Sequence, residues 1–159
     1  MFRQNKQGKF NVPFGKYKKP NIADKNNIIE VSSSLQGTEI ICADFTECSK
    51  YAQKGSALIY FDPPYRPLSA TANFNSYTKD GFSESDQIRL AKLCHELSNN
   101  GNHVLLSNSD PSNNNQADCY FEKIYNGFNI QQVLANRMIN CNGSSRGQIR
   151  ELLISNTNC

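Results

Sequence analysis

Several features that would assign a protein to a common class are missing from this 159-residue sequence. No apolar run approaches the roughly 20 residues that a membrane-spanning helix needs. The first six residues, Met-Phe-Arg-Gln-Asn-Lys, contain no apolar signal stretch, which argues against simple secretion. No internal repeat is present. With 38% apolar residues the chain can still bury a core, so we expect a cytoplasmic protein of single-domain size with no membrane partner.

The cysteines do not have the spacing of a metal site. No two stand at Cys-x-x-Cys spacing, and His95 and His103 stand at no ligand spacing to any of them. We therefore predict no metal. Without a secretion signal, the thiols are expected to be reduced and mostly buried. They are Cys42, Cys48, Cys94, Cys119, Cys141 and Cys159.

Acidic residues are missing from the first 20 positions, which hold six of the 17 Lys and Arg side chains. All 14 acidic residues lie in the remainder, together with the other 11 basic ones. Aromatic residues are interleaved with the cations of this basic arm, at Phe2, Phe10, Phe14 and Tyr17. Such a pattern is typical of a surface that binds a polyanion such as nucleic acid, and a solvated basic terminus is the alternative.

Hydrophobic periodicity predicts strands that alternate with helices, and therefore an α/β fold. Asp24 and Ser83 are placed to cap the two best-defined helices. Residues 56–61 form a near-continuous apolar run, which favours a buried parallel strand. The helices are predicted at 24–35, 46–54, 83–99 and 113–121, and the strands at 38–43, 56–61, 103–107, 123–126, 129–135 and 149–154.

The tetrapeptide Asp62-Pro63-Pro64-Tyr65 follows this apolar strand directly. It should occur by chance in a chain of this length on the order of once in a thousand. Two prolines cannot extend a central strand, so the strand must end here. Ligand sites of open α/β sheets lie at the carboxyl ends of strands. A strand-terminating turn explains one Asp and one Pro, but not all four residues in this order.

The four residues suit methylation of an exocyclic amine. Adenine N6 is a poor nucleophile, because its lone pair is delocalised into the ring. The Asp62 carboxylate and the Pro63 carbonyl could accept its two hydrogens, while Pro64 biases Pro63 to an extended conformation and Tyr65 offers a ring for stacking. No cysteine stands in the motif, so attack on a ring carbon of cytosine is not indicated. A base in duplex DNA would have to be flipped out to reach such a site.

With these residues, the chain resembles the Dam-type DNA adenine-N6 methyltransferases, which mark GATC. The similarity covers nearly the whole chain and includes two specific runs near the N-terminus, Phe-Asn-Val-Pro-Phe-Gly from Phe10 and Tyr-Lys-Lys-Pro from Tyr17. It continues through the Asp-Pro-Pro-Tyr motif and the run from Pro67 to Phe74. It ends with Ser107-Asn108 and the segment from Arg137 to Arg146.

The resemblance implies a role for each matching residue. The catalytic residues would be Asp62, Pro63, Pro64 and Tyr65. S-adenosylmethionine would be the cofactor, held by Asp44, Phe45 and Asp62. The partner would be double-stranded DNA containing GATC, and the enzyme would be associated with the nucleoid. The DNA would be contacted by Arg3, Asn11, Pro13, Tyr17, Lys18, Ser69, Thr71, Asn73, Asn142 and Arg146, with the whole segment 140–146 near one strand.

Several of these roles have a simpler alternative. Asp44 could only cap the helix that follows it, and Phe45 could belong to the core. Ser107-Asn108 could be an ordinary strand end, and Tyr17 or Arg146 could be simple surface. The family often has an aromatic residue where Gln4 stands, which leaves the role of that position open.

The sequence departs from the family in its glycines, because its nine glycines include no Gly-x-Gly. The family has a glycine-rich loop near its N-terminus that wraps the methionine part of S-adenosylmethionine. We therefore expect a partial Rossmann-like sheet that lacks this N-terminal half. Residues 1–24 would be a remnant of the target-recognition region, and 25–159 the C-terminal part of the catalytic domain. Strand 56–61 would then have an exposed apolar edge, and a missing N-terminal half could be a partner.

Other functions remain open at this stage. N4-cytosine methylation more often uses Ser at the first motif position, and protein-glutamine methylation uses Asn without needing a basic arm. From a different class, the chain could be a non-catalytic DNA-binding fragment, or a subunit of a split methyltransferase. Substitution of Asp62 would abolish turnover only if the chain takes part in catalysis.

Overall fold

The computed structural model of the chain describes residues 7–9, 23–52, 55–68, 81–136 and 148–157. It divides into two compact units, Met1–Cys42 and Ala43–Cys159. None of the helices in the described ranges is long and apolar enough to cross a membrane.

The described residues of the first unit contain one helix, α1, over Lys25–Ser34. The Asp24 carboxylate caps it by accepting a hydrogen bond from the Asn27 amide at 3.1 Å, as predicted. The strand predicted at 38–43 is wrong, because these residues pair with no strand of the described chain and are exposed. Ile40 is 83% exposed. Apolar side chains alone do not make a strand, since its backbone groups need a neighbour with which to pair.

The second unit is built on a four-stranded mixed sheet. Its strands are β1 (Leu58–Phe61), β2 (His103–Ser109), β3 (Asn129–Asn136) and β4 (Gln148–Ser155). Their spatial order is β1-β2-β4-β3. β1 and β2 are parallel, whereas β4 pairs antiparallel with both β2 and β3. The α/β prediction is therefore confirmed, with four of the six predicted strands present.

Helix α2 (Glu84–Asn99) packs its apolar stripe against this sheet. Ser83 and Asp86 form a reciprocal capping box that fixes where the helix begins. The predicted stripe is confirmed, because Leu90, Leu93, Cys94 and Leu97 are all buried. From the sheet, the core adds Phe61, Val104, Leu106, Leu152 and Ile154.

Strand β1 lies at one edge of the sheet in the described part of the chain. The prediction that it is buried is wrong for alternate residues, since Leu58 is 74% and Tyr60 57% exposed. Of the β1 residues, Phe61 is buried in the core and Ile59 packs against it. The predicted exposed apolar edge is confirmed, because β1 pairs with β2 alone among the described strands.

The segment between β2 and β3 differs most from the prediction. Residues 113–121 are helical only at their ends, in a 3₁₀ turn at Pro111–Asn113 and in the start of α3 (Tyr120–Ile124). Asn115 and Asp118 explain the interruption, since their side chains accept hydrogen bonds from backbone amides two residues later.

The strand predicted at 123–126 is instead the end of α3 and a turn. Phe121 and Tyr125 are buried four residues apart, with ring centroids 6.4 Å apart, which is a helical and not a strand spacing. Gly127 then turns the chain towards β3 with a φ of 90°. With only Ile124 and Tyr125 apolar, the segment Lys-Ile-Tyr-Asn is too short to distinguish helix from strand.

Four cysteines lie in the described residues, and the prediction that most are buried is wrong for them. Cys94 is buried, Cys48 is half-buried, and Cys42 and Cys119 are exposed. The two exposed thiols lie in irregular segments outside the sheet and its covering helix.

Candidate active site

Asp62-Pro63-Pro64-Tyr65 begins where β1 ends, at the carboxyl ends of the parallel strands β1 and β2. The last pair in the register is Phe61 with Leu106, so Asp62 and Ser107 lie next to each other at this edge. The Ser107 hydroxyl donates a hydrogen bond to Asp62 Oδ1 at 3.0 Å. The Tyr60 hydroxyl shares a second hydrogen bond, of 2.9 Å, with the same Ser107 oxygen. The exposed Asp62 carboxylate is therefore oriented from the neighbouring strand.

A cavity of about 730 Å³ opens beside this strand end. It is lined by Asp44, Phe45 and Asp62, the three residues that the resemblance assigns to the cofactor. Its other walls include Phe82 and Arg89. The volume lies within the range of roughly 300–1,000 Å³ that is usual for small-molecule sites.

Asp44 lies at the cavity wall and caps the 3₁₀ helix Phe45–Lys50, which is the simpler alternative considered for this residue. Its Oδ1 accepts hydrogen bonds from the Thr46 amide at 3.0 Å and from the Thr46 hydroxyl at 2.6 Å. The Arg89 guanidinium donates to both carboxylate oxygens, each at 3.0 Å. The Thr46 hydrogen bonds, followed by Arg89, lower the pKa of Asp44 to about 2. Asp44 therefore presents a fixed negative charge at neutral pH.

Phe45 lies between a cation and a second ring. The Arg89 guanidinium carbon is 4.8 Å from the centroid of the Phe45 ring, in the range of a cation–π contact. The Phe82 ring is tilted against it at 5.8 Å between centroids. Phe45 also packs against the core, so it is both a core residue and part of the cavity lining.

Tyr65, the last residue of the motif, is half-buried, and its hydroxyl donates a hydrogen bond to Glu151 Oε2 on β4 at 3.3 Å. Burial, more than any neighbouring charge, raises the pKa of Tyr65. The contact limits how the ring can turn. Glu151 was not identified from the sequence, because it lies 86 residues away from Tyr65.

Asn108 is fully buried near the end of β2, and its side chain is hydrogen-bonded to three other residues. Its Oδ1 accepts hydrogen bonds from the Arg66 and Ser109 amides, each at 2.9 Å. Its Nδ2 donates to the buried Gln87 at 3.2 Å. Sequence reasoning missed Gln87, although a glutamine three residues before Leu90 on the apolar stripe of α2 was a usable signal.

The predicted DNA contacts lie outside the described residues. They are Arg3, Asn11, Pro13, Tyr17, Lys18, Ser69, Thr71, Asn73, Asn142 and Arg146. The described residues contain no cluster of His, Cys, Asp and Glu side chains that could hold a metal ion.

Comparison with known proteins gives one family and several relatives. Residues 1–139 match the family model of the D12-class N6 adenine-specific DNA methyltransferases. The chain is 47% identical to the type II methyltransferase M.MjaIII of Methanocaldococcus jannaschii, over 98% of this chain and 52% of that protein. It is 41% identical to the type II methyltransferase M1.LlaDCHI of Lactococcus lactis, over 98% of this chain and 53% of that protein.

A third relative is the DNA adenine methylase of Vibrio cholerae, which is 41% identical over 95% of this chain and 52% of its own length. The chain thus spans about half the length of the curated relatives it matches. The family model covers far more than half of the chain and includes the whole Asp-Pro-Pro-Tyr segment. The chain belongs to the D12-class N6 adenine-specific DNA methyltransferases.

Proposed function

We propose that this chain carries the amine-binding half of a DNA methyltransferase that transfers a methyl group from S-adenosylmethionine to adenine N6 in GATC. The observation that supports this most directly is the position of Asp62. Its carboxylate is oriented by Ser107 at a strand end and lines the same cavity as Asp44 and Phe45.

In this proposal, Asp62 and the Pro63 carbonyl accept the two hydrogens of the adenine amine. Their pull localises the nitrogen lone pair and aims it, so positioning and electrostatics lower the barrier without a covalent intermediate. None of the hydrogen bonds among the described residues uses the Pro63 carbonyl oxygen, which is consistent with this role.

The cavity residues suit the cofactor's chemistry. S-adenosylmethionine supplies an electrophilic methyl group on a positively charged sulfur, next to an ammonium group. The Asp62 carboxylate offers negative charge for a cationic ligand, whereas the charge of Asp44 is already paired with Arg89. The Phe45 and Phe82 rings offer apolar surface for a purine. The fit is partial, because the nine glycines of the chain provide no Gly-x-Gly loop.

Binding of DNA completes the proposal. The Tyr65 ring, held at its hydroxyl by Glu151, would stack on the flipped adenine. The basic arm at residues 1–20 would repay the cost of flipping through contacts to phosphates. Tyr17, Lys18 and Arg3 would read the GATC bases or hold the flanking phosphates.

A second candidate is that the chain works as one subunit of a split methyltransferase. The specific observation in its favour is the edge strand β1, whose apolar residues Leu58 and Tyr60 are exposed. An open apolar edge is a template for pairing with a strand of another polypeptide. A polypeptide corresponding to the half of the relatives that this chain does not match would be the partner.

The first experiment measures transfer of radiolabelled methyl from S-adenosylmethionine to a GATC duplex, with a GTTC duplex as the specificity control. Asp62→Ala is expected to reduce transfer by about a hundredfold or more, because it removes one of the two acceptors. The matched control is Glu96→Gln, an exposed carboxylate on α2 that does not line the cavity. Equal transfer by Asp62→Ala and the unmodified chain would refute the catalytic proposal.

The same assay separates the two candidates. Transfer by the chain alone supports a self-sufficient enzyme. Transfer that begins only when the N-terminal half of a relative is added as a separate polypeptide supports the split enzyme. DNA binding without transfer in both arms would leave a non-catalytic DNA-binding fragment.

A further inference from the structure

Gln87 is a polar residue at a core position of α2. It is only 2% exposed and stands on the same stripe as the buried Leu90, Ala91 and Cys94. A buried amide costs free energy unless its hydrogen-bonding groups have partners. Both groups of Gln87 have one, and the two partners lie on different elements of the fold.

The Gln87 Nε2 group donates to the Pro64 carbonyl oxygen at 3.0 Å. Its Oε1 atom accepts a hydrogen bond from Asn108 Nδ2 at 3.2 Å. Asn108 is 0% exposed and, through Oδ1, accepts from the Arg66 amide at 2.9 Å. Ser109, which is 8% exposed, donates its hydroxyl to the Arg66 carbonyl oxygen at 2.7 Å. Three buried side chains from α2 and β2 therefore hold the backbone that follows Pro63.

The two prolines explain why this segment needs such an arrangement. Proline has no backbone N–H, so Pro63 and Pro64 cannot be held through donors, and the strand ladder cannot continue. The backbone groups that can still form hydrogen bonds are the carbonyl oxygens and the amides after Pro64. Gln87 engages the carbonyl of Pro64, and Asn108 and Ser109 engage both backbone groups of Arg66. The Pro63 carbonyl is left out of these contacts among the described residues.

We propose that Gln87, Asn108 and Ser109 are positioning residues that fix the direction of the Pro63 carbonyl and the place of the Tyr65 ring. They touch no substrate atom and act through the backbone of the motif. The inference rests on the proposed function and deepens it, because it assigns the rigidity of the amine-binding site to three side chains. Loss of their hydrogen bonds to the backbone reduces turnover more than it weakens the binding of DNA or cofactor.

The test compares Gln87→Met with Asn102→Leu. Asn102 is also 2% exposed and uses its amide in the same way, at the opposite end of β1. Its Oδ1 accepts from the Ala57 amide and its Nδ2 donates to the Leu97 carbonyl, both at 3.2 Å. Each variant loses one buried amide that ties α2 to the chain of β1. Only Gln87 reaches the motif.

Turnover and local opening are measured separately. In the transfer assay, with the complementing half added if the unmodified chain needs it, Gln87→Met is expected to lower kcat by about tenfold or more. Its KM for DNA and for S-adenosylmethionine should stay within about threefold. Amide hydrogen exchange at Arg66 should rise by about tenfold in Gln87→Met, whereas Asn102→Leu should raise exchange at Ala57 instead.

Equal loss of kcat in the two variants at equal melting temperature would overturn the proposal, as would unchanged exchange at Arg66 in Gln87→Met. If the unmodified chain transfers no methyl group in any arm, the proposed function fails, and the exchange at Arg66 still decides this inference. If Gln87→Met does not fold, Ser109→Ala is used instead, because Ser109→Ala removes only one hydroxyl oxygen. A several-fold fall in kcat together with faster Arg66 exchange is then expected, and no change in either would overturn it.

Discussion

The Ser107 hydroxyl on β2 donates a 3.0 Å hydrogen bond to Asp62 Oδ1, at the point where the neighbouring strand β1 has just ended. A hydrogen bond to a charged acceptor is stronger than one between neutral groups. The carboxylate is therefore held in one orientation although Asp62 itself is exposed. The tyrosine at position 60 adds a second hydroxyl to this chain of hydrogen bonds.

Substitution of Ser107 by Ala tests this relationship. We expect methyl transfer to fall by about tenfold, because the Asp62 carboxylate is free to rotate away from the amine. The affinity for a GATC duplex, measured by fluorescence anisotropy, should not change. Ser155→Ala is the matched control, since Ser155 is a buried serine on β4 whose hydroxyl bonds only to Thr157 among the described residues. A rate equal to that of the control would contradict the orienting role.

The charge of Asp44 gives a prediction on pH. Its pKa lies at about 2, lowered first by the Thr46 hydrogen bonds and then by Arg89. A lowered pKa means that its contacts stabilise the fold fully above the unfolded value of 3.8 and are lost as the pH falls through about 2. In a carboxyl-carbon NMR titration, Thr46→Val and Arg89→Ala should each raise the midpoint of Asp44. Similar midpoints in all three proteins would show that neither neighbour lowers the pKa.

The cysteines differ in their expected reactivity. Burial raises the pKa of Cys94 to about 12, so almost no thiolate forms near neutral pH. Iodoacetamide at pH 8 should therefore label the exposed Cys42 and Cys119 within minutes and leave Cys94 unmodified until the protein unfolds. Peptide mass spectrometry with and without urea provides the measurement. Labelling of Cys94 in the native protein at the rate of Cys119 would refute its burial.

The exposed edge of β1 predicts self-association. Leu58 is 74% exposed on this edge strand, and Leu58→Lys should reduce the fraction of aggregates in light scattering at high protein concentration. The change should cost less than about 1 kcal/mol of unfolding free energy, because the side chain is already in solvent. Leu134→Lys is the control, since Leu134 is 68% exposed on β3, the strand at the other edge. Equal effects of the two substitutions would show that association does not depend on the β1 edge in particular.

Sequence patterns predicted those boundaries of helices and strands that depend on residues close together in the chain. Ser83 marked the start of α2, and the two prolines marked the end of β1. The same reasoning failed at residues 38–43, which form no strand, and at 123–126, which belong to a helix end and a turn. Pairing partners are a property of the whole sheet, and short apolar runs do not reveal them.

The candidate site was likewise predicted from the sequence only in part. Asp62, Asp44 and Phe45 were predicted and line one cavity. Gln87 and Arg89, which hold parts of the site, were missed, because each acts across a long stretch of sequence. Gln87 reaches Pro64 over 23 positions, and Arg89 reaches Asp44 over 45. Only the folded arrangement of α2 and the sheet brings such residues together.

The order of the strands has a consequence for how the chain is made. β4 is the last of the four strands in chain order, yet it lies between β2 and β3. Synthesis on a ribosome releases the motif at residues 62–65 long before Glu151 emerges. Until β4 is released, β2 has an uncovered edge and Tyr65 lacks its hydrogen-bond acceptor. The amine-binding site is therefore completed only when residues 148–155 are free to enter the sheet, so a chaperone that shields β2 in the nascent chain would protect the future site.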